Sequence, residues 1–110
     1  MTIHLLRDRA TPQQAAEMLE ELKTLIKLAI DVKRGVIAGG GEWHADCEKV
    51  LIENGSQQED IWGADWLPLE NEVRFEALIN IRPPQNNRTM AIQDADLRAR
   101  VEKIVRDMFE

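Results

Sequence analysis

Asn54-Gly55 is the feature that most restricts what this chain can fold into. The pair has the preferred chemistry for a two-residue β-hairpin turn, because both residues tolerate the positive φ angles that turn needs. Counting outward sets Leu51 opposite Gln58, Cys47 opposite Trp62, Ala45 opposite Ala64 and Trp43 opposite Trp66. That register puts all three tryptophans, with Ala45, Ala64 and Cys47, on one face. Turn chemistry and side-chain pattern thus agree on an antiparallel ribbon.

Upstream, Ile3-His4-Leu5-Leu6 is a short apolar segment before a well-marked helix start. Thr11 caps, Pro12 takes the first helical position and Gln14 completes a capping box. Ala15, Met18, Leu19, Leu22 and Leu25 recur at helical spacing. From Ile26 the period changes to two, with Ile26, Leu28, Ile30 and Val32 alternating with Lys27, Ala29, Asp31 and Lys33. Lys33-Arg34-Gly35 reads as a turn into Val36-Ile37-Ala38, and Gly39-Gly40-Gly41 as a bend or close backbone approach. A phosphate loop is not supported, since no Lys-Ser/Thr ending follows the glycines.

After Pro68-Leu69-Glu70-Asn71, the spacing predicts a strand from Val73 to Arg82. Val73, Phe75, Ala77 and Ile79 then share the face of Trp62, Ala64 and Trp66. Pro83 to Arg88 is a loop, and a last helix capped by Asp94 presents Leu97, Val101, Ile104, Val105 and Met108 on one side. Two amphipathic helices need an apolar platform, and the tryptophan face supplies one. The expected fold is a single α+β domain over 1–110: an antiparallel sheet of four to five strands, with the N- and C-terminal helices packed on one face.

Composition closes off several function classes. The chain of 110 residues carries a formal net charge of −6, which argues against general nucleic-acid binding. No run of about eighteen apolar residues is present, so no membrane-spanning helix is expected. The N-terminus lacks a basic segment followed by an apolar one, so no signal peptide is expected either. A single cysteine, Cys47, excludes an intramolecular disulfide and fits a reducing cytoplasm. Both Asn54-Gly55-Ser56 and Asn87-Arg88-Thr89 match a glycosylation pattern that has no meaning without secretion.

Parity also has chemical content. The face opposite the tryptophans would carry Glu42, His44, Asp46 and Glu48, with Asp65 across from His44 and Gly63 leaving room beside Asp46. One imidazole and two carboxylates suit a divalent cation, so His44, Asp46 and Asp65 are the candidate metal ligands. Glu48 or Glu76 would then serve as the base on a metal-bound water, giving metal-assisted hydrolysis. The competing reading is a solvated ion-pair ladder, the usual state of a wet sheet face. A four-residue loop after Leu67 would set Arg74 opposite Asp65 and favour the ladder; a two-residue loop would set Glu76 there and favour a cation.

Two further surfaces stand out. Arg82, Asn86 and Arg88 are candidates for gripping a phosphate or carboxylate, against a turn whose asparagines satisfy local backbone. Val50, Ile52, Ile61 and Leu78 make the wet face mixed, a surface suited to self-association. Cys47 turns toward the tryptophans and is expected to be inert. Together these give a small binding or self-assembling module, a homo-oligomer using its polar sheet face, with a divalent-metal hydrolase as the alternative.

The runs Gly39-Gly40-Gly41-Glu42-Trp43-His44-Ala45-Asp46-Cys47-Glu48, Ile61-Trp62-Gly63-Ala64-Asp65 and Ile79-Asn80-Ile81-Arg82-Pro83 resemble a family of small, mainly cyanobacterial proteins catalogued as a domain of unknown function. The resemblance extends over the whole chain. It implies a bacterial cytosolic setting, and it carries no activity, ligand or catalytic residue.

Overall fold

Alternation in the middle of the chain sets the architecture. Strand β2 (Ile26–Asp31) turns Ile26, Leu28 and Ile30 to one side and Ala29 and Asp31 to the other, and all five are buried. A strand buried on both faces needs a layer on each. The computed structural model, which describes residues 2–110, has those layers. Its other elements are β1 (His4–Leu6), α1 (Pro12–Leu19), β3 (Val36–Gly39), α2 (His44–Glu53), β4 (Ile61–Leu67), β5 (Glu72–Arg74) and α3 (Ala95–Phe109). The strands form one sheet in the order β1-β3-β2-β4-β5, antiparallel at every pairing. The fold is mixed α+β.

One buried cluster joins Ile26, Leu28, Ile30, Trp62, Ala64, Trp66 and Val73 of the sheet to Met18 of α1 and to Val101, Val105 and Met108 of α3. The second joins Ala29, Ala38, Val36 and Ile61 to Cys47 and Leu51 of α2. Ala29 and Ala38 keep that face shallow, so the helix approaches closely.

Local chemistry explains the element ends. Thr11 and Gln14 form the expected capping box, the threonine hydroxyl accepting from Gln14 N at 3.1 Å and the Gln14 side chain from Thr11 N at 2.9 Å. Asp94 caps α3 by accepting from Leu97 N at 2.9 Å. The β2–β3 turn closes on buried Asp31, whose Oδ1 accepts from the backbone of Lys33 and Arg34, both at 2.9 Å. Ser56 Oγ donates to Asp31 Oδ2 at 2.6 Å, and Arg34 donates to the Asn54 carbonyl, so this turn holds the end of α2. Among the described residues no helix is long and apolar enough to cross a membrane.

Several sequence expectations are overturned here. The hairpin strand over 43–53 is helix α2. Asn54-Gly55 ends it: Asn54 is the C-cap, Gly55 has φ +96°, and Ser56 N reaches back to the Leu51 carbonyl at 3.0 Å. Positive φ at a glycine serves a helix C-terminus as well as a hairpin. Trp43 is therefore 58% exposed and does not join Trp62 and Trp66, and Cys47 is buried on the face opposite them. The sheet face expected to be wet lies under α2, with Ile61 fully buried, while Ile52 and Leu78 of the mixed surface foreseen for self-association stay exposed. The strand from Val73 stops at Arg74. Beyond it the chain folds over Gly63, and Ile79 packs in the α2-side cluster instead of the tryptophan face. Gly63 thus leaves room for Ala77 and Ile79, not for a ligand beside Asp46.

Candidate functional site

α2 begins where the glycine run delivers the chain to the second face of the sheet. At that point His44, its first residue, meets Asp65 of β4. His44 Nε2 lies 2.8 Å from Asp65 Oδ1 and 3.2 Å from the Ala64 carbonyl oxygen. Both partners only accept, so Nε2 carries a proton in this contact, and Nδ1 is the nitrogen left with a lone pair whenever the ring is neutral. A carboxylate that fixes an imidazole tautomer in this way leaves the other nitrogen as an acceptor or base.

The pair lines a cleft of about 360 Å³. Lys27 and Glu76 complete its polar lining, while Trp43, Leu78 and Met90 are prominent among its apolar residues. Trp43, Leu78 and Met90 are all exposed large hydrophobics, Leu78 at 70%. Lys27, directly opposite Asp65 across the β2–β4 pairing, holds its Nζ 5.1 Å from the centre of the Trp43 ring.

The structure brings some predicted site residues together and separates others. His44, Asp65 and Glu76 share the cleft. Asp46 does not join them, since residues two apart on a helix point to different sides. Among the described residues no group of three or more His, Cys, Asp or Glu side chains is placed to hold a metal ion. The loop after Leu67 turns on four residues, so Arg74 faces Asp65 in register. Its guanidinium nevertheless pairs with Glu72 at 3.6 Å, while Asp65 takes the histidine.

Glu48 lies one turn along α2, away from the cleft lining. Burial pushes its carboxyl above the usual range, and the nearby Arg82 charge and a Gln58 hydrogen bond pull it back. One oxygen, Oε2, is buried with no hydrogen-bond partner among the described residues. A raised folded-state value means the native state binds the extra proton, so this group's contribution is complete below about 4.5, the ordinary value. It is lost as pH rises through the folded value. We expect Glu48→Gln to flatten the fall in stability on the alkaline side of that range, measured by urea unfolding at a series of pH values.

Arg82 is committed to the fold. It donates through Nε to the Ile79 carbonyl at 3.0 Å, through Nη1 to Gln58 O at 2.7 Å, and through Nη2 to Ile61 O, with its Cζ 4.1 Å from the Trp62 ring centre. Asn86 and Arg88 line a separate, larger cleft of about 620 Å³, and Arg82 is not among its lining residues. Most polar groups there are already engaged: Asn87 Nδ2 donates to the Asn80 and Ala91 carbonyls, Gln93 Oε1 accepts from Arg88 N, and Asp94 Oδ1 from Leu97 N. The asparagine of this loop thus satisfies local backbone. Cys47 is inert as a nucleophile, its thiol pushed up to about 11 by burial.

Sequence reasoning missed Trp43, Lys27, Leu78 and Met90 as lining. The available signal was the position of Trp43 two residues past the three glycines, where the close backbone approach ends and the chain leaves the sheet.

The model of one family, a protein of unknown function (DUF5674), matches residues 4–108, and the chain belongs to that family. No curated protein and no solved structure matches the chain.

Proposed function

We propose that this protein is a binding module whose ligand occupies the cleft at the start of α2. The observation that carries this reading is the meeting, in one cavity, of a half-exposed tryptophan with a tautomer-fixed His44–Asp65 pair. Apolar walls with a few convergent polar groups are the usual composition of a small-ligand site, and about 360 Å³ falls at the lower end of the range for such sites. Trp43 and Leu78 supply area that an apolar group removes from water, and His44 Nδ1 supplies one directed acceptor.

The test is a fragment titration followed by proton–nitrogen correlation spectra. Trp43 is the one strongly exposed tryptophan, Trp62 and Trp66 each being 5% exposed, so its indole N–H reports the cleft without interference. Saturable shifts are expected at the Trp43 indole and at the amides of Ala45 and Leu78, and Trp43→Ala should weaken binding about tenfold. Shifts confined to Arg88 and Leu97 would move the site to the other cleft and overturn the reading.

A further inference from the structure

We infer that the ligand of this cleft is a small organic amine, a primary ammonium on a short apolar stem; this rests on the reading of the cleft as the binding site. Charge is the first ground. The lining holds one cation, Lys27, against the carboxylates of Asp65 and Glu76, and His44 is already engaged with Asp65. Glu76 has no ion-pair or side-chain hydrogen-bond partner among the described residues, so one full negative charge stands uncompensated at the cleft. The start of α2 contributes about half a positive charge. That is smaller than the uncompensated carboxylate charge of the lining, so the local field favours a cation.

The second ground is the tryptophan. Its ring already attracts an ammonium from within the chain, the Lys27 Nζ at 5.1 Å, and its remaining exposed surface offers the same attraction to another. Leu78 and Met90, both exposed, then cover the stem that carries the charge. An anion meets the reverse: Glu76 repels it, and its only cationic contact is a lysine already seated over an aromatic ring.

The experiment titrates the intact protein with n-butylammonium, n-butanol, butyrate and N-acetyl-lysine amide, read at the Trp43 indole at low salt. Butylammonium should bind about fivefold more tightly than butanol or butyrate, and Glu76→Gln should remove most of that margin. Lys27→Met takes away the internal competitor and one positive charge, so it should tighten butylammonium about threefold. A gain of binding is a result that a poorly folded variant does not give. Butyrate or butanol binding as well as butylammonium, or a Lys27→Met variant that binds it more weakly, overturns the ammonium assignment while leaving the cleft a binding site. Tighter binding of N-acetyl-lysine amide overturns the small-amine assignment in favour of a lysine side chain. If no probe of any charge moves the Trp43 signal, the binding reading itself fails.

Discussion

Gly40→Ala is expected to lose about 3–5 kcal/mol of stability, a large share of what a domain of this size possesses. Two costs combine. Gly40 has φ +104°, a conformation that L side chains rarely adopt, for which the backbone term alone is about 1–3 kcal/mol. A Cβ there would also lie 2.4 Å from the Thr2 carbonyl oxygen and 2.9 Å from Met18 Cγ. The first obstacle is backbone, so it cannot rotate away, and the second belongs to the fully packed contact of α1 with the sheet. Gly35 supplies the control. It has φ +70° with nothing within 4 Å of an added Cβ, so Gly35→Ala should cost only about 1–2 kcal/mol of backbone strain. Urea midpoints for the two variants measure the difference. Equal losses would show that close approach at Gly40 contributes nothing.

Asn80→Ala is the second large effect, again about 3–5 kcal/mol, for a different reason. β5 pairs with β4 only across Asp65, Trp66 and Leu67, so the outer edge of β4 at Gly63 has no strand beside it. The fully buried Asn80 amide takes the strand's place: Oδ1 accepts from Gly63 N at 2.8 Å, and Nδ2 donates to Gly63 O and to Met90 O, each at 3.0 Å. Alanine leaves the Gly63 N–H and carbonyl without these partners and a void between them. Asn80→Asp is expected to be equally damaging, because it sets a second acceptor against the Gly63 carbonyl. A variant with Asp at this position and near-normal stability would mean that the amide does not bridge Gly63.

Much of this fold can be read from the residues. Thr11-Pro12 with Gln14 marks α1, the alternation from Ile26 marks β2, Gly35 marks the turn, and Asp94 starts α3. Parity correctly groups Trp62, Ala64, Trp66 and Val73 on one face. The failure is α2, and its cause is a shared signal: Asn-Gly ends a helix as readily as it turns a hairpin. The residues held evidence against the hairpin, since its register put Lys49 and Asp60 on the supposedly buried face. Cys47, Val50 and Leu51 recur instead at three and four residues, the spacing of one helix face, and all three pack on the second sheet face.

The His44–Asp65 contact survives that error because it depends on the parity of β4 alone. Asp65 is odd-numbered on that strand, opposite in sense to Trp62 and Trp66, so it faces whatever covers the second side. A strand and the start of a helix both bring His44 there. The metal triad does not survive, because Asp46 needed strand alternation to point the same way as His44. Trp43 and Lys27 were out of reach for the same reason, since their contact exists only where α2 begins above β2.

The arrangement of the cleft is tested most directly by the protonation state of one ring. Long-range proton–nitrogen correlation spectra, recorded well above the ordinary imidazole range, distinguish the two neutral tautomers of His44. The protein should show the Nε2–H form in the wild type, with a smaller excess of it once Asp65→Ala leaves only the Ala64 carbonyl to accept. A wild-type ring protonated at Nδ1 would contradict the placement of His44 against β4.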